Sequence, residues 1–159
     1  MMHPSRFGLA AAAVTFLVDQ ASKEWLLSIV DIREPLNVAP FFNLVMVWNR
    51  GMSFGMFPAD SPSQTALLIG IAVVIVAVLL QWLKKTDTRR VAGALGLVIG
   101  GAVGNVADRL RFGAVADFFD VHVGIYHWPA FNVADSAICI GVLILCLDSL
   151  FTRHKPDAG

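Results

Sequence analysis

Five aspartates lie within or beside strongly apolar segments, where an ionised carboxylate is costly unless another group pairs with it or uses it. They are Asp19, Asp108, Asp117, Asp120 and Asp135. Two carboxyl groups that lie close together at a dry interface cannot both ionise easily, so one stays protonated while the other is charged. The charged group can then take a proton from water while the neutral group polarises a peptide carbonyl. Spacing alone does not select which two of the five would form such a pair.

The composition is that of a protein that crosses a membrane several times. Of the 159 residues, 57% are hydrophobic and only 15% are charged. Charge is also unevenly placed, because the run 66–80 has no charged residue whereas 84–90 holds five. The 12 basic and 12 acidic residues give a formal net charge of zero, which argues against nucleic acid as a partner.

Four apolar segments approach the ~20 residues that a helix needs to cross a hydrocarbon core of ~30 Å. They are 7–27, 65–83, 91–110 and 131–151. Helices are expected because an open strand would leave backbone groups unpaired in lipid. We interpret the first segment as a retained span rather than a cleaved signal peptide, since the apolar stretch up to Val18 is followed by Asp19, Lys23 and Trp25 without a small-residue cleavage pattern. The expected fold is therefore a membrane all-α four-helix bundle, with 1–159 as a single integral membrane domain.

The basic residues predict the orientation of the bundle. Seven would lie in the cytoplasm if both termini and the short turn after the second span face inward: Arg6, Lys84, Lys85, Arg89, Arg90, Arg153 and Lys155. The other side carries five, namely Lys23, Arg33, Arg50, Arg109 and Arg111. Segments 31–62 and 111–130 would then be extracytoplasmic. The alternation in 41–48 predicts short strands that build a small β platform, and 111–130 is expected to be a loop or a short helix.

This topology gathers the polar residues of three spans at one depth, just below the outer surface. Asp19 and Lys23 end the first span, Asn105, Asp108 and Arg109 end the third, and Asn132 and Asp135 begin the fourth. Polar groups in lipid face the bundle interior and one another. Helical spacing pairs Asp19 with Lys23, brings each asparagine near the acid three residues after it, and leaves Arg109 free for another carboxylate. Asp148, at the inner end of the fourth span, is expected to reach the interface or to pair with Arg153 or Lys155.

Other kinds of site and function remain open at this point. His122 and His127 could form a metal site with Asp117 or Asp120, but no H-E-x-x-H motif or cysteine cluster supports one, so no metal is expected. A small ion-coupled carrier would place its polar groups near the midplane with access from both sides. A non-catalytic scaffold would tolerate Asp→Asn changes.

Five short blocks, in order along almost the whole chain, resemble the signature blocks of lipoprotein signal peptidase (signal peptidase II). They are Asp19-Gln20-Ala21-Ser22-Lys23, Asn49-Arg50-Gly51-Met52-Ser53-Phe54-Gly55, Gly104-Asn105-Val106-Ala107-Asp108-Arg109, Val115-Ala116-Asp117-Phe118 and Phe131-Asn132-Val133-Ala134-Asp135-Ser136. Met52 and Ser53 depart slightly from the smaller apolar residues that the family often has there. The resemblance implies an aspartic endopeptidase of the bacterial cytoplasmic (inner) membrane. It would remove the signal peptide from diacylglyceryl-modified prolipoproteins by cutting just before the lipidated lipobox cysteine.

The resemblance also assigns roles to individual residues. Asp117 and Asp135 match the family's catalytic pair. Positions that support the pair or contact substrate are matched by Asn49, Asn105, Asp108, Arg109 and Asn132, while Asp19 with Lys23 matches a structural pair at the edge of the site. The family needs no cofactor and is inhibited by globomycin-type peptides. A single chain that carries all the motifs is expected to work as a monomer.

Overall fold

Four helices and four short strands follow one another along the chain. The computed structural model describes residues 2–30, 34–51 and 61–152. The elements are α1 (Pro4–Ile29), β1 (Leu36–Ala39), β2 (Phe42–Asn49), α2 (Pro62–Lys85), α3 (Arg89–Phe112), β3 (Val115–Val123), β4 (Tyr126–His127) and α4 (Val133–Thr152). Within the Asn49–Gly55 block, Met52 to Gly55 lie outside the described residues, as do Arg153 and Lys155.

The central helix is α3, which packs against α1, α2 and α4. Two adjacent glycines allow this close approach. A Cβ on Gly100 would collide with the carbonyl oxygen of Ala12 in α1, and one on Gly101 would collide with the carbonyl oxygen of Ala134 in α4. These two glycines therefore serve close helix packing. Small residues at helix contacts let backbones approach where no water is present to drive association.

Three of the described helices are long and apolar enough to cross a membrane, namely α2, α3 and α4 from Val133 to Phe151. Helix α2 buries only Leu83 and exposes large apolar side chains such as Leu67, Val74 and Val78. A surface of this kind is suited to lipid rather than water. The fourth expected span, 7–27, coincides with the 26-residue α1. Because it holds Asp19, Lys23 and Glu24, the count of four spans stays a prediction.

The four strands form one antiparallel arrangement in the order β1-β2-β3-β4. The expected β platform is thus confirmed in β1 and β2, but the expectation of a loop or short helix for 111–130 is wrong. Helix α3 continues to Phe112, and β3 then pairs with β2 in a register that sets Asp117 opposite Val47. The run of β-branched and aromatic residues from Val115 to Val123 favours a strand once a neighbouring edge is available. The bundle is therefore not purely α-helical.

The end of the bundle opposite the sheet is closed by the short turn between α2 and α3. There Arg90 of α3 forms an ion pair with Asp148 of α4, with Nε and Oδ1 2.9 Å apart. Asp148 thus has a partner in a neighbouring helix. This pair was not foreseen from the sequence, because the two residues are far apart along the chain and only the packing of α3 on α4 brings them together.

Candidate active site

Asp117 lies in the first half of β3, where both faces of the strand are covered, and only 2% of its surface is exposed. Each of its carboxylate oxygens accepts a hydrogen bond from a side-chain amide. Asn49 Nδ2, from β2, donates to Oδ2 at 2.9 Å, and Asn132 Nδ2, just before α4, donates to Oδ1 at 2.7 Å. The strand pairing and the start of α4 therefore fix the position of this carboxyl group.

Asp135 lies in the first turn of α4 and takes part in the capping of that helix. Its backbone N–H donates to Asn132 Oδ1 at 2.9 Å, and its own Oδ2 accepts from the Asn132 N–H at 3.3 Å. This reciprocal arrangement is a capping box. Asn105 Nδ2 of α3 donates to the other oxygen, Oδ1, at 2.8 Å. The expected local pairing is confirmed for Asn132 with Asp135, whereas Asn105 serves Asp135 rather than Asp108.

Asn132 joins the two acids and is fully buried. Because its Oδ1 is held by the Asp135 N–H, its Nδ2 is turned towards Asp117. The structure thus brings Asp117 and Asp135 to one asparagine at the sheet end of the bundle. Asn49 and Asn105 complete the set of amides that bond the two carboxylates.

The setting of Asp117 changes its protonation. Burial, followed by the nearby charge of Asp135, raises the pKa of Asp117 to about 7, although the hydrogen bonds from Asn49 and Asn132 and the charge of Lys23 oppose the rise. A carboxyl group with this pKa is partly protonated at neutral pH. A partly protonated carboxyl group that shares a site with a second acid is the arrangement expected for a paired-carboxylate mechanism.

A buried ion cluster lies behind the two acids. Lys23 is only 3% exposed, and its Nζ lies 2.8 Å from Oδ2 of Asp19 and 2.8 Å from Oδ2 of Asp108. The expected Asp19–Lys23 pair is therefore present, and Asp108 is its third member. Gln20 was not singled out from the sequence, yet its amide donates to Asp19 at 3.1 Å and to Asp108 at 3.0 Å. Its position within the 19–23 block is the sequence feature that could have identified it as part of the site.

Each aspartate of this cluster also holds the backbone just before one of the paired acids. Asp19 Oδ1 accepts from the Ala134 N–H at 2.9 Å, and Asp108 Oδ2 accepts from the Ala116 N–H at 3.2 Å. Lys23 Nζ further donates to Asn105 Oδ1 at 3.3 Å, which turns the Asn105 amide group towards Asp135. The ion cluster is therefore built into the support of both carboxyl groups.

Arg109 does not bond a carboxylate among the described residues, contrary to the expectation from its position on α3. Its guanidinium donates to the backbone carbonyl oxygen of Gly51 at 2.8 Å and to that of Asn105 at 3.3 Å. Its Nε is buried without a hydrogen-bond partner in the described part of the chain. Arg109 thus ties the end of the platform to α3 and retains a donor near the acids.

Asp120 lies apart from the paired acids and is buried. His127 Nδ1 lies 2.8 Å from its Oδ1, and Asn43 Nδ2 donates to Oδ2 at 2.9 Å. Burial raises the pKa of Asp120, but the hydrogen bonds from His127 and Asn43 and the charges of His127 and His122 outweigh it, so the pKa lies below its usual range. The His122 ring stacks on His127 with centroids 4.7 Å apart. Within residues 2–30, 34–51 and 61–152, no group of three metal-ligating side chains is placed to hold an ion.

A cavity of about 330 Å³ opens beside Asp135 between α4 and the segment that precedes it. Its lining is mostly apolar and includes Trp128, Phe131, Cys139 and Ile140. A carboxyl group at the wall of an apolar cavity suits a ligand that combines a polar bond with a hydrophobic body.

Comparisons with known proteins agree with this geometry. The sequence profile of the family described as signal peptidase (SPase) II matches residues 11–151. The chain belongs to the signal peptidase II family. It is therefore a membrane aspartic peptidase, and the family to which it belongs acts on prolipoproteins in bacterial membranes.

Relatives of the signal peptidase II family match over nearly the full length. The lipoprotein signal peptidase of Methylobacterium sp. (strain 4-46) is 43% identical over 160 residues, which cover 99% of this chain and 97% of the relative. That of Nitrobacter hamburgensis (strain DSM 10229 / NCIMB 13809 / X14) is 46% identical, with 99% of both chains covered. A solved structure described as a bacterial membrane enzyme at 2.3 Å resolution superposes with a TM-score of 0.85 at 27% identity, covering 96% of this chain and 93% of the other.

The buried ion cluster yields a stability prediction. Lys23→Met leaves two buried carboxylates without their cation, and breaking a buried ion pair in this way costs about 3–5 kcal/mol. We expect the thermal unfolding midpoint of the protein in detergent, followed by tryptophan fluorescence, to fall by roughly 6–20 °C.

Arg111→Gln is the matched control. Arg111 and Glu24 also join α3 to α1, but their side chains are about half exposed, and exposed ion pairs contribute little. The midpoint of this variant should move by no more than about 4 °C. Equal shifts of the midpoint for the two variants would show that the buried cluster stabilises the fold no more than an exposed ion pair does.

Proposed function

We propose that this signal peptidase II family member removes the signal peptide from diacylglyceryl-modified prolipoproteins, cutting immediately before the lipidated cysteine of the lipobox, with Asp117 and Asp135 as the catalytic pair. The observation that carries the proposal is the bonding of both carboxyl groups, the buried Asp117 and the half-buried Asp135, to one asparagine, Asn132. An arrangement of this kind keeps two acids adjacent and in different protonation states.

The catalytic cycle needs one ionised and one protonated carboxyl group. The N-terminal end of α4 favours negative charge on Asp135, so in this proposal Asp135 takes a proton from water while Asp117 donates its proton to the scissile carbonyl oxygen. The water oxygen bonds to the carbonyl carbon and gives a tetrahedral diol. On collapse the C–N bond breaks, the leaving nitrogen receives the proton from Asp135, and the diol returns the other proton to Asp117. The pair titrates as a unit.

The neighbouring amides support this chemistry without taking protons themselves. Asn49 and Asn132 hold Asp117, and Asn105 and the Asn132 N–H hold Asp135, so neither carboxyl group needs to reorganise when a proton moves. In the proposal Arg109 offers its Nε, which has no hydrogen-bond partner among the described residues, to a substrate carbonyl. Asp19, Lys23 and Asp108 hold the backbone around the pair. No metal or organic cofactor takes part.

The finer substrate assignment is supported by the cavity beside Asp135. A lipidated cysteine keeps its acyl chains in the bilayer, so the adjacent peptide bond lies near the interface. The apolar wall formed by Phe131, Cys139 and Ile140 adjoins Asp135 at the start of α4, where it could receive the apolar part of such a substrate. Globomycin-type peptides would compete for the same space.

The membrane arrangement that fits this chemistry has four spans, with 7–27 as the first, and both termini in the cytoplasm of a bacterium. The acid pair then faces the extracytoplasmic side of the inner membrane. The described basic residues at the opposite end support this orientation, namely Arg6, Lys84, Lys85, Arg89 and Arg90. A carrier is less well supported, because the acid pair and the ion cluster, contributed by α1, α3, β3 and α4, lie together at the sheet end of the bundle rather than at its middle. Since one chain holds every group of the site, we propose that it acts as a monomer.

The catalytic pair is tested by isosteric replacement. Asp117→Asn and Asp135→Asn each remove one acid–base group, which contributes about 10²–10⁴-fold to a rate. Each variant should therefore process diacylglyceryl-modified precursor at least about 100-fold more slowly than the parent, as measured by gel shift in detergent micelles. Asp120→Asn changes the same residue type in the same strand but away from the pair, and it should retain parental activity. Normal processing by either paired variant would falsify the assignment.

The protonation of Asp117 predicts a pH dependence. With a pKa of about 7 for Asp117, kcat/KM should fall about tenfold per pH unit above that value, because the required acid is lost. The hydrogen bond from Asn49 lowers this pKa, so Asn49→Ala should move the falling limb upward by about one unit.

Asn43→Ala provides the control for this shift. Asn43 lies in the same strand as Asn49 but bonds Asp120, so its loss should leave the limb in place. The assignment of the proton to Asp117 is wrong if Asn49→Ala lowers kcat/KM without moving the limb, or if Asn43→Ala moves it equally.

The cavity is tested by filling it from one helix. Cys139→Trp places a large side chain in the space beside Asp135, and we expect it to reduce processing of the lipidated precursor at least about tenfold through loss of substrate binding. Cys146→Trp makes the same change one heptad further along α4, at another exposed position outside the cavity lining, and should process normally. Undiminished activity of Cys139→Trp would show that the substrate does not bind in this cavity.

A further inference from the structure

A second groove lies at the end of the bundle farthest from the acids. Its volume is about 330 Å³, and it is formed where α1, α3 and α4 diverge. Phe7, Gly93, Leu97 and Ile144 are among its apolar lining residues, and Arg89 and Arg90 lie at its α3 end. Along α3 these arginines are about 28 Å from Asp108 at 1.5 Å per residue, close to the thickness of a hydrocarbon core.

The two arginines retain hydrogen-bonding capacity at the mouth of the groove. Arg89 donates one bond to the Met2 carbonyl oxygen at 3.0 Å, and its guanidinium carbon lies 6.0 Å from the centroid of the Phe7 ring. Arg90 uses Nε for Asp148 and is 70% exposed. Since a guanidinium has five N–H donors, both residues have donors left for an anionic oxygen.

Charge at this end of the bundle is strongly one-sided. The described cations are Arg6, Lys84, Lys85, Arg89 and Arg90, and the described acids are Asp87 and Asp148. Five positive charges less two negative charges leave an excess of three. An apolar groove between membrane helices with arginines at its mouth matches a molecule that has a hydrocarbon chain and a phosphate.

We propose that this groove binds an anionic phospholipid, with one acyl chain between α1, α3 and α4 and the phosphate at Arg89 and Arg90. The site is separate from the peptidase site and does not depend on its chemistry. The interior of the groove is narrow at Gly93, where an added Cβ would come within 3.0 Å of the Phe7 ring. Asp148 competes with the phosphate for Arg90, so it weakens binding in the parent chain.

The test is native mass spectrometry of the purified full chain from detergent, with dioleoyl phosphatidylglycerol or dioleoyl phosphatidylcholine added. These lipids have the same acyl chains and differ in headgroup charge. We expect roughly fivefold tighter binding of phosphatidylglycerol, because the positive charge of choline offsets the phosphate in phosphatidylcholine and removes about 1 kcal/mol of attraction to the arginines. Arg89→Gln should abolish this preference, and Asp148→Asn should increase it because Arg90 is released.

Matched variants distinguish lipid binding in the groove from general electrostatic attraction between the lipid and the protein surface. Lys84→Gln removes the same charge at the same end of the bundle but outside the groove lining, and it should keep the preference. Gly93→Leu fills the groove and should reduce binding of both lipids, whereas Gly70→Leu, in open space on α2, should not. Millimolar inorganic phosphate should fail to displace the lipid.

Several results would overturn the proposal. One is equal affinity of the parent chain for the two lipids. Another is equal loss of preference in Arg89→Gln and Lys84→Gln, which would indicate diffuse surface charge. Unchanged lipid binding by a folded Gly93→Leu variant would exclude the groove, and displacement by inorganic phosphate would assign the arginines to a free anion.

Discussion

The position of the buried Lys23 between Asp19 and Asp108 is the constraint on which the rest of the structure depends. A lone charge in this environment would be expelled or neutralised, and a lysine flanked by two carboxylates is tolerated only when further donors satisfy the remaining oxygens. Gln20 and the backbone N–H groups of Ala116 and Ala134 supply those donors. The cluster can therefore form only when α1, α3, β3 and the start of α4 are all in place.

This requirement couples the fold to the geometry of the paired acids. Asp19 accepts a hydrogen bond from the N–H of Ala134, the residue before Asp135, and Asp108 accepts one from the N–H of Ala116, the residue before Asp117. A single cation thus sets the relative positions of two backbones that are remote in sequence. The glycines of α3 permit this arrangement, because any side chain at Gly100 or Gly101 would push α1 or α4 away. The ion cluster therefore depends on the close packing of α1 and α4 against α3.

The two ends of the bundle differ in chemistry for related reasons. At the sheet end, the carboxylates bond Lys23 and neighbouring amides, so their charges are enclosed and the pKa of Asp117 is raised towards neutral pH. At the other end, Arg89, Arg90 and their neighbours exceed the nearby acids and remain accessible. Enclosed charge is suited to proton transfer, whereas accessible charge beside an apolar groove is suited to recognition of an amphipathic anion.

The sequence by itself determined the features that depend on local pattern. Apolar runs predicted the helices that became α2, α3 and α4, alternation predicted β2, and the i,i+4 spacing predicted the Asp19–Lys23 pair. Blocks such as 104–109 and 131–136 also indicated the family. That resemblance predicted Asp117 and Asp135 as the catalytic pair, which the substitutions to asparagine will test. Spacing could not assign Asn105 to Asp135, join Asp108 to Lys23, pair Asp148 with Arg90, or turn 115–123 into a strand. Those choices belong to the tertiary structure, because each depends on which distant backbone offers a donor, an acceptor or a strand edge at hydrogen-bonding distance.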